Sequence, residues 1–259
     1  MNSYPHPGIN PEFLTGLTNN WPLDELHSIG YRALELTPRA LDFWERSGGH
    51  EMGLLCVNSL PELITYISGS LSGAIEWRRR RILERLFGVQ KIMRRLDVPF
   101  LVVAPGKLAE IYQTEEDARE LLISSLVELA DQGPTRVLVE SAPYRLFSTS
   151  DKLADIIDDV DKKNVGAALD VGHSMMAGEN PLDSAEILGD QLKYVQVRDV
   201  EIIDGIAPMD RHLPLGEGSV DTGQIADLVR GVPWSVTICA HTSPLKAARE
   251  AMEVVGGRV

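Results

Sequence analysis

Short apolar runs alternate with amphipathic stretches along the whole chain. "YRALELT" (31–37), "MGLLCVNS" (52–59), "PFLVVA" (99–104), "RVLVES" (136–141), "VGAALD" (165–170), "LKYVQVRD" (192–199) and a run over 234–240 read as strands, with a weak first strand near "GIN" (8–10). After the first, they are mostly apolar at consecutive positions, the pattern of parallel strands covered on both faces. Helical patterns separate them. "LDELHSIG" ends on Gly30. Residues 74–96 carry Ile75, Ile82, Leu86, Val89 and Met93 at helical spacing. Residues 114–133 open on acidic side chains and end on Gly133. Further helices are expected over "STSDKLADIIDDVDKKN", over "PLDSAEILGD", over 221–230 and from about 243.

A βα unit repeated eight times over 259 residues predicts an α/β fold, a single (β/α)8 TIM barrel. An open doubly wound sheet is the second choice, since no glycine-rich phosphate fingerprint follows the first strand. No low-complexity linker divides the chain, so residues 1–259 are expected to form one domain.

Composition narrows the class of function. Apolar residues make up 44% and charged residues 24%, which fits an ordinary globular chain rather than a disordered or fibrous one. Cys56 and Cys239 both sit in apolar runs, so they read as buried thiols of a reducing compartment. The opening "MNSYPHPGINPEF" has no basic segment followed by an apolar one, and no run is long enough to span a bilayer. A cytoplasmic location without a membrane partner is therefore expected. The formal charge is 25 − 38 = −13. Such a chain is repelled by phosphate backbones unless it concentrates basic residues on one face, so nucleic acid is not an expected partner. The run Arg78–Arg81 is expected to point into solvent from the polar side of its helix.

Sites in such barrels lie at the carboxyl ends of the strands. Those ends are Glu35, Asn58, Ala104, Glu140, Asp170, Gln196, and Cys239 or His241. Glu140 and Asp170 close consecutive apolar strands, which predicts two carboxylates at one mouth. They would repel unless a divalent cation or a proton intervened. The alternative is that each caps a helix or pairs with an arginine. His173 follows Asp170 by three residues. Asp210 and His212 are spaced to face one site from the loop that ends in "PLGEG", although solvated loop residues have the same pattern.

With these motifs in order, the chain resembles the xylose isomerase-like TIM barrels, which include sugar phosphate isomerases and epimerases, inosose dehydratases and AP endonucleases. The resemblance runs from about residue 20 to the end. "VLVES" is similar to the family's fifth strand, ending in a metal-binding Glu, here Glu140. "AALDVGHSMMAGENP" is similar to the sixth strand's Asp-x-x-His, here Asp170 and His173. "LKYVQVRDV" resembles a seventh strand whose usual form is His-x-His-x-Lys-Asp, and "HLPLGEGSVD" the loop before the last unit. The departures are Tyr194 and Gln196 for the two histidines, Arg198 for the lysine, Cys239 for a ligand Glu, and Ala104 and Asn58 where the endonucleases carry histidine. His241, two residues beyond Cys239, faces the same side and can serve in its place.

The resemblance implies an isomerase, an epimerase or a related dehydratase acting on a small sugar-like polyol or keto compound. Glu140 and His173 would be catalytic. Glu35, Asn58, Gln196, Arg198 and His212 would bind substrate, and Glu140, Asp170, Gln196 and His241 would hold Mg, Mn or Zn. With Gln196 a poor ligand for zinc and an acceptable one for harder ions, the site is either a weakened metal site or one that has lost its metal. Arg198 either holds a substrate carboxylate or phosphate, or pairs with Asp199 or Glu35. A metal-free, non-catalytic binding relative is the other reading, and an endonuclease the third, against which the net charge weighs. The oligomeric state is not readable from the sequence.

Overall fold

The computed structural model describes residues 7–10, 21–47, 51–59, 70–106, 113–143, 145–203, 209–237 and 243–256. Eight strands form a closed parallel barrel: β1 (Pro7–Ile9), β2 (Ala33–Leu36), β3 (Gly53–Asn58), β4 (Phe100–Val103), β5 (Arg136–Glu140), β6 (Val165–Asp170), β7 (Leu192–Val197) and, last in the chain, β10 (Trp234–Val236). Each pairs with its sequence neighbour, and β10 closes the ring between β7 and β1. An antiparallel pair, β8 (Asp199–Glu201) and β9 (Met209–Leu213), stands apart from the ring after β7. The TIM-barrel expectation holds, and the observed strands fall within a few residues of the predicted runs.

The helices α1 (Leu23–Ile29), α2 (Pro38–Ser47), α3 (Glu76–Arg95), α4 (Glu115–Ala130), α5 (Ser150–Val160), α6 (Val171–Met176), α7 (Pro181–Leu188), α8 (Thr222–Leu228) and α9 (Pro244–Gly256) follow the strands. Their ends are written locally. Thr114 and Asp117 form a reciprocal capping box at the start of α4, whose first turn is acidic and so complements the helix dipole. Asn180 caps α7 by accepting from the Leu182 N–H at 2.8 Å, with Pro181 in the first turn.

Three local expectations need correction. Helix α2 was not expected. It starts at Pro38, capped by Thr37 Oγ1, and buries Ala40, Leu41 and Trp44 on one sharply apolar face. The segment after Asp170 is not a bare turn but the short helix α6. Arg79 is not solvated: it is 9% exposed, donates to the Gly73 carbonyl at 3.1 Å and pairs with Glu76. The other apolar positions of that helix, Ile82, Leu86, Val89 and Met93, are buried as expected.

The main core lies between the strands and the helices. A second apolar cluster, with Ala33, Cys56, Phe100, Val102, Leu138, Ala168 and Tyr194, fills the inside of the barrel. Phe100 and Tyr194 stack there at 5.9 Å between ring centroids. These side chains plug the barrel, so polar inward positions are left to the strand ends. Among the described residues no helix is long and apolar enough to cross a membrane.

Candidate active site

Two polar clusters meet at the carboxyl ends of the strands. They are continuous because Asp170 on β6 is paired in register with Gln196 on β7, and Gln196 with Ser235 on β10.

Glu35 is the centre of the first cluster and has no solvent exposure. Its Oε1 accepts from Gln196 Nε2 at 2.9 Å, Asn58 Nδ2 at 3.3 Å and Asn10 Nδ2 at 3.4 Å. Its Oε2 accepts from Tyr194 OH at 2.5 Å and Ser235 Oγ at 2.7 Å. Five donors from four other strands or their ends saturate the carboxylate's acceptor capacity. Glu35 thus ties the barrel together, and Asn58 and Gln196, expected to bind substrate, are donors to it. Gln196 retains its carbonyl: Oε1 is buried with no hydrogen-bond partner. Thr237 Oγ1 is likewise buried and unpartnered, on the same side of its strand as Ser235. Sequence reasoning missed Asn10, Ser235 and Thr237, although the alternation in "WSVT" marks the last two as a pair on one face.

The second cluster is ionic. Glu140, Asp170 and His173 lie together as expected, each offering a ligand-type atom within 4.8 Å of the others. Asp170 caps α6 by accepting from the His173 N–H at 2.7 Å, which fixes the imidazole one turn above the strand end. His173 Nδ1 stands 2.7 Å from Glu140 Oε1, and its Nε2 3.4 Å from Asp210 Oδ2. Arg198 has no exposure. Its Nε donates to both Asp170 oxygens, at 2.8 and 2.7 Å, and its Nη1 to Asp210 Oδ1. The partners of Arg198 are therefore Asp170 and Asp210, not Asp199 or Glu35. Asp199 is occupied otherwise: it accepts from the N–H groups of Val200, Gly216, Gly218 and Val220 and pins the "PLGEG" loop. His212 Nδ1 faces Asp210 Oδ1 at 3.2 Å. His241 and Cys239 lie outside the described residues.

Burial and charge set the protonation states. Burial pushes the Glu140 carboxyl up to about 7, against the pull of His173. Burial alone would lower His173, but Asp170, Asp210 and Glu140 around it raise its pKa to about 9. Burial likewise opposes ionisation of Asp170, yet Arg198 and His173 hold it below the usual carboxylate range. Partial desolvation opposes ionisation of Asp210, whose side chain is 35% exposed, yet the His173 hydrogen bond and Arg198 hold it well below that range. Burial and the nearby Arg198 charge depress His212 to about 4, so it is neutral at pH 7. The result is an alternating chain of Glu140, His173, Asp170 with Asp210, and Arg198.

Whether these residues fit a divalent ion is decided by their lone pairs. Arg198 Nε is shared between the two Asp170 oxygens and the His173 N–H also goes to Oδ1, so Asp170 keeps a lone pair on Oδ2 but faces a cation; His173 Nδ1 shares a proton with Glu140, and His173 Nε2 faces Asp210. Glu140 Oε2 and Gln196 Oε1 remain free. Together with the hydroxyl of Thr237, that is one anionic and two neutral oxygens among the described residues. Catalytic zinc sites take three protein ligands, mostly imidazole or thiolate, plus water, and Mg²⁺ takes one or two carboxylates plus waters. With both His173 nitrogens engaged and Asp170 already neutralised by the Arg198 guanidinium, the described donors are poorly matched to a tightly held ion in this arrangement. It fits hydroxyl donors, which would complete Glu140 Oε2 and Gln196 Oε1, next to a group accepting from Arg198 Nη2, a buried donor also without a partner.

Residues 23–256 match the family model described as xylose isomerase-like TIM barrel. An uncharacterized protein of Methanocaldococcus jannaschii is 27% identical over 167 residues, which span 62% of this chain and 56% of that protein, little more than half its length. Among solved structures, the IOLI protein with a bound zinc atom superposes with a TM-score of 0.76 at 19% identity, over 98% of this chain and 99% of that one. D-psicose 3-epimerase from Clostridium cellulolyticum H10, solved with D-tagatose, gives a TM-score of 0.75 at 15% identity over 98% of each chain. At such identities the structural likeness speaks to the fold.

Proposed function

This chain belongs to the xylose isomerase-like TIM barrel family, and from that premise we propose that it is an isomerase or epimerase moving a proton on a carbon next to a carbonyl in a small polyhydroxy compound. The observation that carries the reading is Glu140: a buried carboxylate held through one oxygen by His173, with the other oxygen unpartnered and a pKa near 7. A base poised near the working pH suits proton abstraction from carbon, because it is available as carboxylate and still basic enough to take the proton. The solved epimerase with D-tagatose supports the substrate class by analogy.

In this reading Glu140 Oε2 takes the proton, the C–H electron pair becomes a C=C bond, and the carbonyl π pair moves onto oxygen. Returning the proton from Glu140 to the neighbouring carbon on the same face, with that carbon's hydroxyl proton passing to the former carbonyl oxygen, gives the isomer; the epimer requires protonation of the original carbon from its opposite face by a second acid, and Glu140 alone does not supply it. No co-reactant is consumed. Protonated His173 holds Glu140 in place, and Gln196 Oε1 accepts from a substrate hydroxyl. No step passes through a metal.

The test is incubation of the purified protein with ketopentoses, ketohexoses and their phosphates, with chromatography of the products. Epimer or isomer formation that falls by about 10²–10⁴ in Glu140→Gln supports the reading. Conversion that survives in that variant removes Glu140 from the role. A small-molecule substrate is proposed in place of nucleic acid: the charge of −13 disfavours a phosphate backbone.

A further inference from the structure

We propose that the buried guanidinium of Arg198 is the site's resident cation, standing in the electrostatic place of a divalent ion, so that the chemistry proceeds without metal. The part of this that concerns chemistry rests on the isomerase or epimerase reading above. The part that concerns the ion does not.

Three observations converge. Arg198 is fully buried at the end of β7, on the same strand face as Tyr194 and Gln196. Its Nε covers both oxygens of Asp170, the carboxylate best placed to hold an ion beside Glu140. A metal there would have to displace a hydrogen-bonded cation rather than water. The seat is also built for the guanidinium. Gly172, in the first turn of α6, packs so closely that a Cβ would stand 3.0 Å from Arg198 Cζ, 3.1 Å from its Nε and 2.7 Å from Val200 Cγ1. Only glycine leaves that space without displacing the side chain. Finally, Arg198 is not used up by its own network. Nη1 goes to Asp210, while Nη2 is buried with no acceptor. A buried charged donor without a partner is costly unless a ligand completes it. A substrate carbonyl or enolate oxygen would do so, and the negative charge that forms there on proton abstraction would meet a fixed, pre-oriented positive charge.

The test separates the ion from the reaction. Wild-type protein, dialysed against chelator, is titrated calorimetrically with Zn²⁺ and with Mn²⁺, and the same is done for Arg198→Met and Gly172→Ala. The expected result is no saturable one-to-one binding in the wild type. In Arg198→Met, where Asp170 is freed and one positive charge removed, affinity for the ion should rise at least about tenfold. Gly172→Ala, which crowds the guanidinium out of its seat, should move in the same direction. Should Arg198→Met not fold, the wild-type and Gly172→Ala titrations decide. One equivalent of tightly held ion in the wild type overturns the proposal, and so does unchanged affinity in the folded variants. Any turnover found should be unaffected by EDTA, and loss of turnover on chelation also overturns it. Absence of turnover on every substrate would defeat the isomerase reading while leaving the titrations to judge Arg198.

Discussion

Replacing Glu35 by glutamine should unsettle the barrel before it touches any ligand. The substitution keeps the volume and exchanges one acceptor oxygen for an NH₂ group. Three of the five hydrogen bonds to Glu35 are short, at 2.5, 2.7 and 2.9 Å, and two are long, at 3.3 and 3.4 Å. The Tyr194 and Ser235 hydroxyls can turn to accept from an amide, although each then gives up Glu35 as the acceptor of its own O–H. What is lost is charge assistance, about 1 kcal/mol for each short bond, offset in part by no longer burying a charge. The net expectation is a loss of about 2–3 kcal/mol. Glu35→Leu removes the acceptor of Tyr194, Ser235 and Gln196 Nε2 at about 1–3 kcal/mol each, comparable to the whole stability of a domain, and should not fold. Urea denaturation followed by tryptophan fluorescence reads both, as a lowered midpoint at unchanged m-value. A Glu35→Gln protein within about 0.5 kcal/mol of wild type that has lost substrate binding would refute this reasoning and make Glu35 a substrate ligand.

Asp170→Asn leaves Arg198 buried with a neutral partner and should cost about 3–5 kcal/mol, with the double variant Asp170→Asn/Arg198→Met less destabilised than the sum; additivity in denaturation would mean the pair is not coupled. His173 binds its proton more tightly folded (about 9) than unfolded (6.5), so its contribution is complete below pH 6.5 and is lost as pH rises through 9. Stability should therefore fall by up to about 3 kcal/mol over that window in the wild type and less in His173→Gln, as read from urea midpoints at several pH values; equal slopes would contradict the assignment. Binding to duplex DNA carrying an abasic site should be negligible at physiological salt, and tight salt-sensitive binding in a fluorescence anisotropy assay would speak against a small-molecule site.

The barrel was legible because its strands are apolar on both faces and its helices carry marked ends, as at Thr114 and Asn180. Helix α2 escaped notice despite a clear signal, Thr37 before Pro38 and a sharply one-sided apolar face, whereas β8 and β9 are largely polar strands whose pairing arises only between Asp199 and Leu213 and between Glu201 and Met209. In the site, Glu140, Asp170 and His173 were readable from the rule that strand ends carry chemistry, and the structure brings them together. The partners were not readable. Asp170 both caps a helix and pairs with an arginine, and which acid Arg198 would choose depends on the register of β6 against β7 and the course of β9. The five donors to Glu35 meet only when the barrel closes.

The central claim is that Glu140 exchanges a proton with carbon beside a carbonyl, and wash-in of solvent deuterium measures that act itself. The protein is incubated in D₂O with each ketose of the panel and the recovered sugars are examined by proton NMR. The account predicts loss of the signal at the carbon adjacent to the carbonyl for at least one of them, insensitive to EDTA and slowed by about 10²–10⁴ in Glu140→Gln. No exchange into any of them, or exchange that persists at the wild-type rate in Glu140→Gln, would contradict it.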